Sequence, residues 1–354
     1  MNEEAKTTGW DAIETAVTKL YGDQEPKHYG TLIPYRLGGP DPLDGISAYK
    51  AEEPFPHWHF VTFGFSELYD KESDDAENSG YGFELTFRLG REQTEEEPPA
   101  WALNLLQNMG RYVFGSGNVF QSGDYLDANG PICLGSDTKL TALAFVLDPE
   151  LPAADTPNGR VQFLQMVGIT GCELEAMQIW HTLGVLQACE ERMPRYITDL
   201  ARASLMEVPA IVETVGRGAE RDGSNTGFLY VDQLGWDPGK KRLFGKTPAA
   251  LQLGAKQAGI VGKLLAGRIR KGKSLTMAGP DLRVVLEPGA KTGFEDEREG
   301  GVRIKLDDAG AAELSRKLRP KEGVIELSSF SGMTVQIVKT YIKDEDGNIV
   351  STIG

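Results

Sequence analysis

The sequence has no apolar run approaching the roughly eighteen residues that a membrane-spanning helix needs, so no such span is expected. Its opening, MNEEAKTTGWD, is acidic and lacks the apolar core of a secretory signal, which makes the cytoplasm the expected location. Cysteine is scarce: Cys133, Cys172 and Cys189 stand far apart. That spacing fits neither a disulfide framework nor a zinc knuckle, and it reads as inert thiols in a reducing compartment. Positive charge is in deficit, with 37 basic against 52 acidic side chains and a net charge of −15. Phosphate backbones are recognised first through positive charge, so nucleic acid is a disfavoured partner. Signature motifs of nucleotide and acyl chemistry are missing as well. Gly245-Lys246-Thr247 and Gly272-Lys273-Ser274 carry the last letters of a phosphate-binding loop without the glycine that must precede them. No Gly-x-Ser-x-Gly elbow is present.

What is there suffices for two domains, each with its own core: 354 residues, 40% hydrophobic. Trp10, Ile13, Val17, Leu20 and Tyr21 lie near helical spacing and predict an opening helix over 10–21. The run WHFVTFGFSELY (58–69) reads as a strand. So does YGFELTFRL (81–89), where Tyr81, Phe83, Leu85, Phe87 and Leu89 alternate with Glu84, Thr86 and Arg88. The acid-rich stretches 72–80 and 92–97 read as solvated loops. Helices are predicted over 100–114 and 173–188, with a buried-looking run LTALAFVL and a strand-like run VQFLQMVGIT between them. Glycines crowd residues 207–248, and the domain junction is placed there. Beyond it come a possible strand LQLGA, a helix carrying Ile260, Val261, Leu264, Leu265 and Ile269, and strands RVVLEP, VRIKL, VIELS and TVQIVKTYI, with a helix over AGAAELSRKL. Helices and strands mix without a βαβ rhythm, so the fold class is α+β, neither a Rossmann fold nor a barrel. The division expected is 1–215 for the first domain, 216–245 for the glycine-rich junction and 246–354 for the second.

Candidate chemistry is thin. His57 and His59, two apart on a strand, would point to one face, as two ligands of a metal must; His28, His181, Asp124 or Glu84 would have to complete the set. The competing reading has them holding backbone carbonyls or stacking in the core. Asp124 follows Ser122-Gly123 between Phe120 and Tyr125, where an acid ordinarily caps a turn. Tyr112 ends a helix and reads as core with its hydroxyl at the rim. Lys263, Arg268, Arg270, Lys271 and Lys273 form a basic cluster around a helix end, suited to the local dipole or to an acidic partner. No adjacent stacking aromatics or zinc-finger pattern direct it to nucleic acid.

Longer blocks carry a resemblance. LGGPDPLD followed by Ile46-Ser47-Ala48-Tyr49, then HWHFVTFGFSELY, SGYGFELTFRL, RYVF, SGD, DP, TPNG, FLQMVG and DGSN resemble, in order and spacing, the Suppressor of fused family over about 10–237. In the second half, Gly267-Arg268-Ile269-Arg270-Lys271-Gly272-Lys273 resembles the segment that opens that family's C-terminal domain. The resemblance implies a non-catalytic protein-binding protein of two domains. In animals the family restrains Hedgehog signalling by holding Gli-type zinc-finger transcription factors in the cytoplasm. It takes a short peptide as an added strand in a cleft between the domains. A tyrosine of the RYVF block and an aspartate of the SGD block help form that cleft; here they are Tyr112 and Asp124. Lys263, Arg268 and Arg270 are expected to face them from the second domain. Where the animal proteins carry an acid before the DP pair, this chain has Leu147. The compact, acidic sequence suggests a bacterial relative, for which neutralising a partner toxin as an immunity protein is the first expectation. A scaffold or chaperone-like regulator and a metal-dependent enzyme using His57 and His59 are the alternatives. No cofactor, bound metal, small-molecule substrate or membrane contact is expected.

Overall fold

A computed structural model describes residues 7–33, 35–239, 247–297, 300–343 and 347–354. The last six residues of the expected junction, 240–245, lie outside these, as does Lys246 of the phosphate-loop fragment. The chain divides into two compact units, one of residues 1–174 and 182–212 and the other of 175–181 and 213–354.

Unit 1 begins with α1 (Thr8–Tyr21), whose Ile13 and Val17 are fully buried, as the helical spacing predicted. The strands that follow are β1 (Lys27–Gly30), β2 (Gly45–Ala51), β3 (His57–Phe63) and β4 (Asn78–Gly90), then α2 (Ala100–Ser116). After it come β5 (Tyr125–Asp127), β6 (Leu140–Leu147), β7 (Ala154–Thr156) and β8 (Gly159–Thr170). They form one sheet in the order β1-β2-β3-β4-β8-β6-β5, with β7 paired to β8. The sheet is antiparallel except where β4 meets β8.

Every residue of β3 is buried, because the sheet is covered on both faces. Trp58 and Phe60 pack with Phe83, Leu85, Phe87 and Leu89 against Leu106, Met109 and Val113 of α2. Val61 and Phe63 pack with Phe163 against Ile13 and Val17 of α1. Period-two alternation therefore assigns His57, His59, Glu84, Thr86 and Arg88 to the α1 face. That face is polar and yet closed to water: all five side chains are fully buried.

Three sequence-based elements differ from what forms. The run 58–69 is a strand only to Phe63; at Gly64 the backbone turns with φ of +136°, and residues 64–69 form a loop. The helix expected over 173–188 is two, α3 (Gly171–Ile179) and α4 (Thr182–Cys189). At the break the Trp180 carbonyl accepts from Asn225 N at 2.9 Å and its indole N–H donates to Asp222 at 2.9 Å. The glycine-rich stretch holds α5 (Pro209–Asp222), β9 (Phe228–Tyr230) and β10 (Leu234–Asp237), more regular structure than its composition suggested.

Unit 2 continues with β11 (Ala249–Gly254), α6 (Ala255–Arg268), β12 (Leu275–Ala278), β13 (Arg283–Pro288), β14 (Gly293–Glu297) and β15 (Gly301–Leu306). Then follow α7 (Asp308–Lys317), β16 (Gly323–Glu326), β17 (Met333–Val338), β18 (Thr340–Lys343) and β19 (Ile349–Ile353). One sheet runs β14-β15-β13-β12-β9 and a second β10-β11-β17-β16; β18 and β19 pair as a hairpin, so TVQIVKTYI supplies two strands and not one. Val261, Leu264 and Leu265 of α6 join Leu314 of α7, Leu253, Met277 and Ile304 in a single core. The fold is α+β, with neither a Rossmann sheet nor a barrel among the described residues. No helix among them is long and apolar enough to cross a membrane.

Candidate functional site

In unit 1, Tyr112 sits half-buried on the last turn but one of α2. Its ring stacks on Phe120 at 5.5 Å, and Phe120 stacks on Phe145 of β6 at 4.0 Å. The Tyr112 hydroxyl accepts from Asn118 Nδ2 at 3.1 Å. Asp124 is exposed, and its Oδ2 accepts from Gln121 N at 2.8 Å, closing the turn through Gly123, whose φ is +102°. The backbone of this turn is pinned to the same strand: Gly123 N donates to Phe145 O at 2.8 Å and Phe145 N to Asp124 O at 3.0 Å. Phe145 thus joins the two residues named from the resemblance into one corner, at the start of β5, the outermost strand of its sheet. Leu147, at the far end of β6, is 50% exposed.

Asp124→Asn should leave thermal stability unchanged, since an amide oxygen can still accept from Gln121 N. Asp124→Ala should lower the melting temperature by about 2 °C through the lost turn cap. A thermal melt of both variants checks this.

Unit 2 spends most of its basic cluster on its own backbone. Arg268 is 8% exposed; Nε donates to Ser274 O at 2.6 Å and Nη1 to Ser224 O at 2.8 Å. Burial pushes its pKa down. Its guanidinium lies against Gly227, where a Cβ would stand 3.1 Å from Nη2. It therefore clamps the chain just ahead of β9 to the chain just ahead of β12. Lys271 donates to Arg221 O and Lys273 to Asp222 O, each at 3.2 Å, so the cations cap the end of α5 where its dipole is negative. Lys263 pairs with Glu175 at 2.5 Å. Arg270 is exposed and has no ion pair or hydrogen bond among the described residues.

The strand that this clamp positions was missed in the sequence. β9 pairs in parallel with β12 and is outermost in its sheet, so its other edge is unpaired among the described residues. Leu229 is buried, while Phe228 and Tyr230 are 58% and 57% exposed. The signal was Gly227-Phe-Leu-Tyr alternation, hidden by the surrounding glycines.

The two histidines are absorbed by structure. His59 Nε2 donates to Asp148 Oδ2 at 3.1 Å and Nδ1 accepts from the Tyr21 hydroxyl at 2.7 Å. Asp148 also accepts from Thr86 Oγ1 at 2.7 Å, from Arg88 Nη1 at 2.5 Å, and from the backbone N of Glu150 and Leu151 at 2.9 and 3.0 Å. Arg88 bonds Gln165 and reaches Glu150 at 3.0 Å. Burial works against the Asp148 carboxylate, but His59 and the Arg88 guanidinium outweigh it and hold its pKa well below the usual range. Burial and Arg88 lower the pKa of His59 too, so the compensating positive charge is that of Arg88. His57 donates Nδ1–H to Phe55 O at 2.8 Å, and burial pushes its pKa down to about 4. Its Nε2 is buried with no partner among the described residues. Glu84 accepts from Thr62, Gly64 and Ser66, and His28 pairs with Ser47. No group of three metal-ligating side chains occurs among the described residues, and the metal-enzyme alternative has no support.

Residues 39–203 match the family model described as Suppressor of fused protein (SUFU). The human Suppressor of fused homolog is 39% identical over 247 residues, covering 65% of this chain, and the mouse homolog matches equally. The chain spans 50% of the length of these curated relatives. The crystal structure of Drosophila Suppressor of Fused superposes with a TM-score of 0.77 over 95% of this chain and 99% of that one; at 24% identity the likeness is one of fold. A chain of the Sufu-Fu complex crystal structure matches at 34% identity and a TM-score of 0.56, over 59% of this chain and 98% of its own.

Proposed function

We propose, from the premise that this chain belongs to the Suppressor of fused family, that it is a non-catalytic protein binding a protein partner through strand addition. The observation that carries this reading is β9: an outermost strand with one edge unpaired among the described residues, two exposed aromatic side chains, and an arginine clamp fixing its start. Backbone N–H and C=O groups on such an edge supply affinity to any extended segment, and Phe228 and Tyr230 supply selection. That a matched relative was crystallised in a Sufu-Fu complex supports a protein partner here.

Within this reading the Tyr112–Asp124 corner is a second contact, with a ring to bury and a carboxylate to offer. Arg270 is the basic contact of unit 2, Lys263 joins it by exchanging Glu175, and Arg268 is a positioning residue acting through β9. Leu147 offers no acid, so an apolar residue of the bound segment is favoured opposite it. A net charge of −15 favours a basic partner, since complementary charge speeds and directs encounter. Neutralisation of a basic toxin is the form of binding that this charge suits best.

Affinity capture from the source cells tests the reading. The intact chain should enrich one protein, and the double variant Phe228→Glu, Tyr230→Glu should lose it by about tenfold or more, a gap of roughly 1.4 kcal/mol, at unchanged melting temperature. Equal recovery by both would remove β9 from the site. Co-expression with a toxin encoded beside the gene should protect growth; absence of protection would leave binding standing and remove the immunity role.

A further inference from the structure

Unit 1 contains a cavity of about 530 Å³ that the strand-addition reading does not use. Its walls are aromatic. Tyr35 and Tyr81 stand edge-on to Phe114 at 5.5 and 5.0 Å, and Phe65 lies behind Phe114 at 6.2 Å. Its rim is acidic, with Asp44, Asp70 and Glu72 lining the opening. None of these three carboxylates has an ion pair or side-chain hydrogen bond among the described residues. From Gly64 to Tyr81 the chain carries six acids and a single base, Lys71. That lysine is already spent, on Glu67 at 2.9 Å, on Asn78 O at 2.6 Å and on Ser73 Oγ at 2.9 Å.

The cavity is built before any ligand arrives. The buried Glu84 accepts from Gly64 N at 3.0 Å, Ser66 N at 2.9 Å and Ser66 Oγ at 2.7 Å, which fixes the turn forming its floor. Glu67 accepts from Glu72 N at 2.8 Å and Gly80 N at 3.1 Å and fixes its side. At Gly80, with φ of +56°, a Cβ would come within 2.7 Å of Phe65 O, so the close approach of the two walls requires glycine. Walls held by so many bonds lose little freedom on binding.

We propose that this cavity binds an arginine side chain from an apolar, basic segment of a protein partner. A guanidinium is the group that suits both features at once: it stacks on aromatic faces, and its planar fork pairs with carboxylates, which have no cation partner among the described residues. The compact, strongly hydrated ammonium of lysine gains less from the aromatic walls. An anionic or purely apolar segment would leave the three rim carboxylates repelled or desolvated. The site is independent of β9, and it gives the chain's negative charge a place of focus.

The test uses the full chain, isotope-labelled for backbone NMR, titrated with acetyl-Leu-Arg-Phe-amide and with its citrulline counterpart, which keeps the shape and removes the charge. Arginine peptide should shift Gly64, Ser66, Gly80, Tyr81 and Phe114, with citrulline weaker by about tenfold. The exposed double variant Asp70→Asn, Glu72→Gln should fold normally and weaken the arginine peptide several-fold. The Phe228→Glu, Tyr230→Glu variant should bind the peptide as the intact chain does, which separates this site from β9. Equal binding of both peptides, shifts scattered over the acidic surface, or no shift up to about 5 mM peptide would each overturn the proposal. So would self-association of the chain that the rim variant abolishes, which would give the cavity to a second copy.

Discussion

Arg88→Met should cost unit 1 about 3–5 kcal/mol of unfolding free energy, the largest effect expected of any single substitution described. Arg88 lies near the end of β4 with no exposed surface, and it pairs with the buried Asp148 and with Glu150, which Arg195 also reaches at 3.2 Å. Methionine fills much of the stem volume and leaves Asp148 in a low-dielectric interior with its hydrogen bonds and, for counter-charge, only His59, whose own charging burial opposes. Against a total stability on the order of 5–15 kcal/mol for a domain, that loss is enough to unfold a large fraction at physiological temperature. Removing both partners, as in Arg88→Met with Asp148→Leu, should cost less than the two single changes summed, because an apolar pair needs no desolvated charge. Urea unfolding of the four members of this cycle at neutral pH gives the coupling directly. A loss under about 1 kcal/mol for Arg88→Met would put the cluster on a level with a surface ion pair and refute the assignment.

That cluster marks where the sequence stopped being readable. Alternation in YGFELTFRL placed Glu84, Thr86 and Arg88 on one face of the strand, and the structure keeps that register. What alternation cannot tell is that the polar face is covered by α1, since burial there depends on Asp148 and Gln165 arriving from β6's end and β8, tens of residues away. His57 and His59 shared the fate of that face: the spacing gave a common direction, and partners distant in sequence decided that they hold structure. Local signals did best where one element settles its own fate, as in α1, α2 and α6, whose apolar residues pack into the cores of their units. They did worst at Gly227–Val231, where glycine density suggested a linker although three alternating residues were sufficient for an edge strand. Arg268 illustrates the same limit for sites. A basic residue at a helix end reads as surface, and only the three-dimensional arrangement shows its guanidinium closed over Gly227 and bonded to Ser224. Asp124 could be read both ways from Ser-Gly-Asp, and its turn cap and its exposed carboxylate coexist.

Glu84→Gln should cost most stability at low pH and progressively less as pH rises towards 7. Burial pushes the Glu84 pKa up to about 7, against the donors at Thr62, Gly64 and Ser66 that pull it down. An unfolded glutamate titrates near 4.3, so between about pH 4.5 and 7 the folded chain holds a proton that the unfolded chain has released. The stabilisation is therefore present below about pH 4.3 and is lost as pH rises through 7. His57 runs the other way. Its folded pKa of about 4 lies below the ordinary value near 6.5, so its contribution is present above pH 6.5 and is lost as pH falls towards 4. Over the shared window the two slopes oppose each other, each worth up to about 1.4 kcal/mol per pH unit. In the glutamine variant the acid's slope is gone and the histidine's remains. The deficit of the variant relative to the intact chain should be greatest near pH 4.5 and should shrink by about 2–3 kcal/mol by pH 7. Denaturant titrations at four pH values across that range measure it. A deficit that stays constant would mean that the carboxylate is ionised throughout, its donors prevailing over its burial, and the turn at Gly64–Ser66 would then rest on a charged anchor.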